Sequence, residues 1–184
     1  MRYNIGQLLR GPRGACREFD LNADIRDLDP ELEPVRPLTG SITLMRTSQG
    51  ILATGEMWTT LRTACRRCLE PCDMDVEFKL EEEFHPTMHI DGSPVDDVPE
   101  KDRDEALLID EHQILDLSEV VRQALWLTGP EQALCDPECQ GLCPRCGGNR
   151  NQGECQCKYP PVDPRLATLK TLLPNEPDSE ERRD

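Results

Sequence analysis

Ten cysteines in 184 residues, six of them crowded between Cys135 and Cys157, constrain this chain more than any other feature. The crowded run goes Cys135, Cys139, Cys143-Pro-Arg-Cys146-Gly-Gly, and then, after an Asn-containing stretch, Cys155-Gln-Cys157. A C-P-x-C-G turn followed by a second close pair offers the four thiolates of a tetrahedral site. The first pair rides on a tight knuckle, Gly147 and Gly148 let the backbone turn back, and the second pair closes the sphere. Disulfides are the competing use. The chain opens MRYNIGQLLRGPRG, without the apolar core or small-residue cleavage site of a signal peptide, so a reducing, cytoplasmic setting is expected. There, clustered cysteines hold metal more often than they cross-link. The single-site assignment is therefore Zn2+ on Cys143, Cys146, Cys155 and Cys157.

The remaining cluster, Cys65-Arg-Arg-Cys68 and then Cys72, falls between two strand-like runs and leaves three readings open. It could exchange disulfides, with Arg66 and Arg67 favouring a thiolate, but that chemistry belongs before a helix and here a strand follows. It could complete a second zinc site by meeting Cys135 and Cys139 in space. It could also be a set of small thiols without a ligand.

Length suits one domain with an appendage, and no stretch approaches the ~20 apolar residues of a membrane span. The net charge of −15 argues against a plain nucleic-acid binder. That charge is unevenly spread. From Asp75 to Glu119 there are 16 acids against 3 bases, a net of −13, which leaves about −2 for the rest. The bases outside this block gather at the chain start and around the cysteines: Arg66 and Arg67 in the first cluster, Arg145 and Arg150 in the second. A solvated acidic segment is the plain reading, and a molecule with one acidic and one mildly basic, cysteine-supported face is the sharper one.

Hydropathy periods predict an α+β chain: an antiparallel β meander or partly closed barrel packed by one helix, with a cysteine-rich zinc-binding segment and a short terminal helix after it. Residues 4–9 read as a helical turn or strand lead-in, and 16–21 alternate as a strand. Residues 22–37, with three prolines and many acids, read as irregular. Strands are expected over 41–46, 51–63 and 73–84, with a turn at 47–50. In the last, Met74, Val76, Phe78 and Leu80 alternate strictly with polar neighbours. Residues 85–113 read as an acidic loop. A helix over 117–127 is expected to start with Asp116 as cap and Glu119 in the capping-box position, burying Leu117, Val120, Val121, Ala124 and Leu125. A last helix opens at Asp163-Pro164 and carries Leu166, Leu169, Leu172 and Leu173. The expected organisation is a β-rich domain over 1–130, a zinc-binding tail with its helix over 131–173, and a disordered end over 174–184.

Other chemistry is sparse. His85 and His89 are four apart, but Pro86 between them opposes the helix that would aim both at one metal, so both are expected at the surface. There is no phosphate-binding loop, no H-E-x-x-H and no nucleophile elbow. The expectation is a protein that is not an enzyme, takes no small-molecule substrate and does not insert in membranes.

The opening Tyr-Asn-Ile-Gly-Gln-Leu-Leu and the Cys65–Pro71 stretch, which reads C-x-R-C-L-E-P, resemble the bacterial YceD family. The tail resembles its zinc-bearing branch, with Cys139-Gln140-Gly141-Leu142-Cys143-Pro144-Arg145-Cys146-Gly147, Cys155-Gln156-Cys157 and Asp163-Pro164-Arg165 running to Leu169 and Leu172. The resemblance runs from Tyr3 to Leu173. Cys72 extends the first cluster beyond the pattern, and the acidic stretch between Phe84 and Asp110 is long for it. The resemblance implies a ribosome biogenesis factor that supports accumulation of large-subunit ribosomal RNA, with a large-subunit precursor as partner. Basic ribosomal proteins would meet the acidic flank, and Arg66, Arg67, Arg145 and Arg150 would touch RNA. Two other classes stay open on the residues alone: a redox-regulated zinc chaperone, and an adaptor whose zinc knuckle binds another protein.

Overall fold

Strict alternation along residues 73–80 places Met74, Val76, Phe78 and Leu80 on one side and Asp73, Asp75, Glu77 and Lys79 on the other, and the sheet follows from it. The structure, a computed structural model, describes residues 1–88, 93, 104–129, 133–153, 155–157, 165, 166 and 169. Its elements are β1 (Arg2–Asn4), α1 (Gly6–Leu9), β2 (Cys16–Ala23), β3 (Glu33–Pro34), β4 (Leu38–Arg46), β5 (Ile51–Ala64), β6 (Pro71–Pro86), β7 (Leu108–Ile109), β8 (Ile114–Asp116) and α2 (Ser118–Thr128). The main sheet has the order β2-β4-β5-β6-β7, with β3 paired beside β4 on β5, and β1 pairs with β8 in a separate two-stranded ladder.

The predicted meander is present. β2, β4, β5 and β6 pair antiparallel in sequence, each in unbroken register, such as Ile42 opposite Gly55 and Met57 opposite Phe78. The partly closed barrel is not: the order is open, with β2 and β7 as its end strands. β7 is also parallel to β6, pairing Leu108 with His85, because the chain returns to this edge after a long excursion rather than a tight turn. The expected acidic loop over 85–113 is therefore structured at both ends, while residues 89–92 and 94–103 lie outside the described residues. His85 is a buried strand residue rather than the surface histidine expected, because β6 runs on to Pro86 and pairs with β7 there, and His89 lies outside the described residues.

One face of the sheet holds the core. Leu38, Ile42, Leu44, Ile51, Ala53, Met57, Leu61, Val76, Phe78, Leu80 and Phe84 meet Ile5, Leu8 and Leu9 from the chain start and Leu117, Val120, Val121 and Leu125 from α2. Burying side chains of this size is worth roughly 1.5–3 kcal/mol each. An isolated helix of α2's 11 residues would be marginal in water, so this burial holds it. The expected capping box does not form. Asp116 ends β8 and accepts the Ser118 N–H at 2.9 Å, whereas the Glu119 carboxylate turns along the helix to Arg122 at 2.7 Å and Gln123 at 3.0 Å. Gly129 closes the helix by donating to the Leu125 carbonyl at 2.9 Å.

The connection over 22–37 is less irregular than its prolines suggest. It contains β3, buries Ile25 and Leu32, and sends Asp29 to α2. There the Asp29 carboxylate accepts the Trp126 indole N–H at 3.0 Å and an Arg122 N–H at 3.2 Å. These donors, the indole first, hold its pKa below the ordinary value. Among the described residues no helix is long and apolar enough to cross a membrane.

The other face of the sheet carries Glu18, Asp20, Glu33, Glu56, Asp73, Asp75, Glu77, Glu81 and Glu83 against Arg62 and Lys79. Arg62 is paired with Asp73 at 2.9 Å and Lys79 with Glu56 at 2.6 Å, so the surplus on this face is negative. Trp58, 41% exposed, stands among these acids. The terminal helix expected over 163–173 and the end over 174–184 lie outside the described residues, apart from Arg165, Leu166 and Leu169.

Candidate metal centres

β5 and β6 are joined by a turn made of the first cysteine pair. Ala64 faces Pro71 in register, and Cys65 to Glu70 close the hairpin between them. The Cys65 N–H donates to the Glu70 carbonyl at 2.8 Å and the Leu69 N–H to the Cys65 carbonyl at 2.8 Å. The tail repeats this turn bond for bond. Cys143 N–H donates to Gly148 at 2.8 Å and Gly147 N–H to Cys143 at 2.8 Å. In both turns the fifth residue is left-handed, with φ of 62° at Leu69 and 71° at Gly147. A left-handed residue with a Cβ costs about 1–2 kcal/mol, and a Cβ on Gly147 would meet nothing within 4 Å, so conformation alone decides there. Gly147→Ala is therefore expected to lower tail stability by about 1–2 kcal/mol. Leu69→Gly should relieve similar strain, less about 0.4–1 kcal/mol of added unfolded-state entropy. Denaturation midpoints of the metal-loaded chain check both.

The first knuckle does not act alone. Cys65, Cys68, Cys135 and Cys139 bring their sulfurs within 4.8 Å of one another, and Cys143, Cys146, Cys155 and Cys157 do the same. We call these the hairpin site and the tail site. The Cys65–Cys139 sulfurs are 3.8 Å apart and the Cys68–Cys135 sulfurs 3.5 Å. A tetrahedral ion with metal–sulfur bonds of 2.3 Å requires sulfur–sulfur edges of about 3.8 Å, so the spacing fits such an ion. It is far from a disulfide, whose sulfurs bond at about 2.05 Å, and all ten cysteines are free. Of the three readings of the first cluster, the geometry favours the shared metal site. A strand, β6, follows the Cys65–Cys68 turn, so the helix that a thiol–disulfide exchange motif uses is missing there.

Several contacts fix the second half of the hairpin site. The Arg66 N–H donates to the Ala133 carbonyl at 2.9 Å, and the Leu142 N–H to the Arg67 carbonyl at 3.0 Å. A Cβ on Gly141 would come within 2.9 Å of the Arg67 carbonyl oxygen, and its φ is 70°, so this crossing requires glycine. The Arg67 guanidinium donates to the carbonyls of Pro137 at 3.2 Å and Cys139 at 2.9 Å. Arg67 thus braces the site through Nη1 while the residue stays exposed. Arg66, Arg145 and Arg150 are exposed around the two knuckles.

The electrostatics suit a cation. Backbone N–H groups of Cys135 and Cys68 draw the Cys65 pKa down to about 6, and those of Cys146 and Arg145 draw Cys143 down to about 6. Burial works to raise Cys139, but the Asn151 amide and the Gly141 N–H outweigh it and leave it lowered. Within the same clusters Cys135 is pushed up by the Cys68 and Cys139 sulfurs, and Cys157 to about 12 by Cys146. Four thiolates crowded together cannot all ionise alone, whereas a divalent ion deprotonates coordinating thiols outright. Cys72 lies half-buried beside the hairpin site, and Cys16 is exposed on β2. Asn149, Asn151 and Glu70, which link the two sites, were not singled out from the sequence; the only available signal was the Asn-containing stretch between the tail's cysteine pairs.

Sheet and site together define a β-sheet protein whose central hairpin shares a four-cysteine centre with a knuckle-bearing tail. The chain belongs to the family described as large ribosomal RNA subunit accumulation protein YceD, whose model matches residues 53–173. It is 33% identical over 133 residues to the uncharacterized proteins Rv2926c of Mycobacterium tuberculosis (strain ATCC 25618 / H37Rv) and Mb2951c of Mycobacterium bovis (strain ATCC BAA-935 / AF2122/97). The match covers 72% of this chain and 60% of each relative, so the chain spans well under the full length of the curated relatives it matches. No solved structure matches.

Proposed function

We propose that this chain is a non-enzymatic ribosome biogenesis factor that supports accumulation of large-subunit ribosomal RNA, with Zn2+ as the ion of both cysteine centres. The observation that carries the reading is the match to the large ribosomal RNA subunit accumulation family over residues 53–173. Four-thiolate sites of tetrahedral spacing are the chemistry of structural zinc, with no open position for a substrate. The zinc centres serve to hold the tail against the β5–β6 hairpin.

The partner is a large-subunit precursor. Its direct contact is a basic protein surface, because the strands of the open sheet face carry nine acids against two bases and present Trp58 among them. Such a surplus repels phosphate backbones and attracts lysine- and arginine-rich segments, and an exposed tryptophan adds cation–π attraction. Arg66, Arg67, Arg145 and Arg150, on the metal-held turns, are the candidates for touching RNA. The setting proposed is the cytoplasm, where precursor subunits assemble and thiols stay reduced.

The deciding experiment is a gradient profile of cells with and without the protein. Loss of the protein should lower large-subunit relative to small-subunit RNA, and the tagged protein should sediment with large-subunit precursors. Normal subunit ratios at slow and fast growth, with the protein absent from ribosomal particles, would overturn the ribosome reading and leave the zinc adaptor.

A further inference from the structure

The side chain of Asn151 reaches from the loop of the tail site to a sulfur of the hairpin site. Asn151 stands in the short 3-10 turn Arg150–Gln152, between Cys146 and Cys155, so it belongs to the loop that the tail site closes. Its Nδ2 donates to the sulfur of Cys139, a member of the other site, at 3.2 Å, and its Oδ1 accepts the Gln140 N–H at 2.8 Å. Asn149 sets this orientation: its Oδ1 accepts the Asn151 backbone N–H at 3.0 Å and the Asn151 amide at 2.9 Å. The Arg150 N–H reaches the Gly141 carbonyl at 2.9 Å, and Glu70 of the hairpin knuckle takes long contacts of 3.4 Å from Asn149 and Gln152.

We propose that the two sites are one coupled unit, in which an ion in the tail site raises the affinity of the hairpin site through Asn151. The inference rests on the metal-binding reading of both clusters. An ion on Cys143, Cys146, Cys155 and Cys157 closes the loop that carries residues 149–152. The ordered loop holds Asn151 on Cys139, where the amide N–H offsets part of the thiolate's charge and fixes the sulfur's direction. Groups that orient a metal ligand in this way typically change metal affinity about 10–100-fold. Because coupling between binding sites is reciprocal, the hairpin ion strengthens the tail ion by the same factor. Asn151 is thus a positioning residue for the hairpin site, supplied by the tail site's loop. The fitting ligand is a divalent, thiolate-accepting ion of tetrahedral preference.

The test is a cobalt(II) titration of the reduced full chain against a chelator of known affinity, with far-ultraviolet circular dichroism confirming that each variant keeps its sheet. The wild type should take two ions. Asn151→Ala should weaken the hairpin site about 10–100-fold and move its sulfur-to-cobalt absorption to longer wavelength. The pair Cys143→Ser with Cys146→Ser should weaken the hairpin site at least as much, and adding Asn151→Ala to that pair should change nothing further. With Cys65→Ser and Cys68→Ser in place, the tail site should be indifferent to Asn151→Ala. An unchanged hairpin affinity in Asn151→Ala, or an equal loss whether or not the tail site can bind, would overturn the coupling. A wild type that takes fewer than two ions would instead remove the metal reading itself.

Discussion

Stripping the metal from the reduced chain is expected to free the segment from Ala133 onward while the β-sheet stays folded. Structural zinc contributes apparent binding energies on the order of 10–16 kcal/mol at neutral pH, and in such small loops this is the folding energy. Residues 133–157 have little else. Among the described residues the buried ones there are Ala133, Cys139, Cys143 and a glycine crossing, whereas the sheet, the chain start and α2 together bury more than twenty apolar side chains. A strong chelator at neutral pH should therefore make the tail protease-sensitive and leave the β-type circular dichroism largely in place, with fraying at the Cys65–Glu70 turn. Cys65→Ser with Cys68→Ser should undock the tail from the hairpin while the tail site still binds its ion. If chelation instead melts the whole chain in one transition, the hairpin site is part of the sheet's own stability.

Acid should do what the chelator does. Cys65 and Cys143 have pKa values lowered from 9.0 to about 6. A depressed pKa contributes stability that is fully present above the unfolded value of 9.0 and is lost as pH falls through the folded value of about 6. Protons compete with the ion over the same range, so metal release should rise as pH drops below about 6. Release that is flat from pH 7 to 4, followed with a zinc indicator, would contradict this assignment of ligands.

Phe84→Ala is expected to be the most damaging single change in the sheet. Phe84 is fully buried near the end of β6 and lies opposite Ile51. The backbone is tightly packed at this end of the strand, since a Cβ on Gly50 would sit 2.0 Å from the Phe84 carbonyl oxygen. Truncating a buried phenylalanine costs about 3–5 kcal/mol, against a total of about 5–15 kcal/mol for a typical domain. Denaturant midpoints should show the loss with the metal still bound. A loss below 1 kcal/mol would mean that the site repacks.

The same comparison shows why some features were legible in the chain and others not. Period-two alternation in residues 73–84, the Thr47–Gly50 turn and the apolar stripe of α2 are local patterns, and each appears where it was expected. The tail site was legible for the same reason, since Cys143, Cys146, Cys155 and Cys157 lie within 15 residues and one knuckle aims half of them. Asp116 still caps the first turn by accepting the Ser118 N–H, but the reciprocal half of the box failed because Arg122 and Gln123 hold the Glu119 carboxylate instead. Whether the sheet closed was undecidable from alternation, which is identical in open sheets and barrels.

The hairpin site belongs to the tertiary structure. Cys65 and Cys139 are 74 positions apart, and nothing in their spacing selects that pairing over idle thiols. It is selected by the β5–β6 register, which puts Cys65 and Cys68 on the hairpin turn, and by Arg67 and Gly141, which seat the returning chain against it. A knuckle depends on torsions within six residues, so the sequence determined both knuckles. A four-cysteine centre shared across the chain depends on two distant segments bringing their sulfurs within about 4 Å of each other, and only the folded sheet decided that.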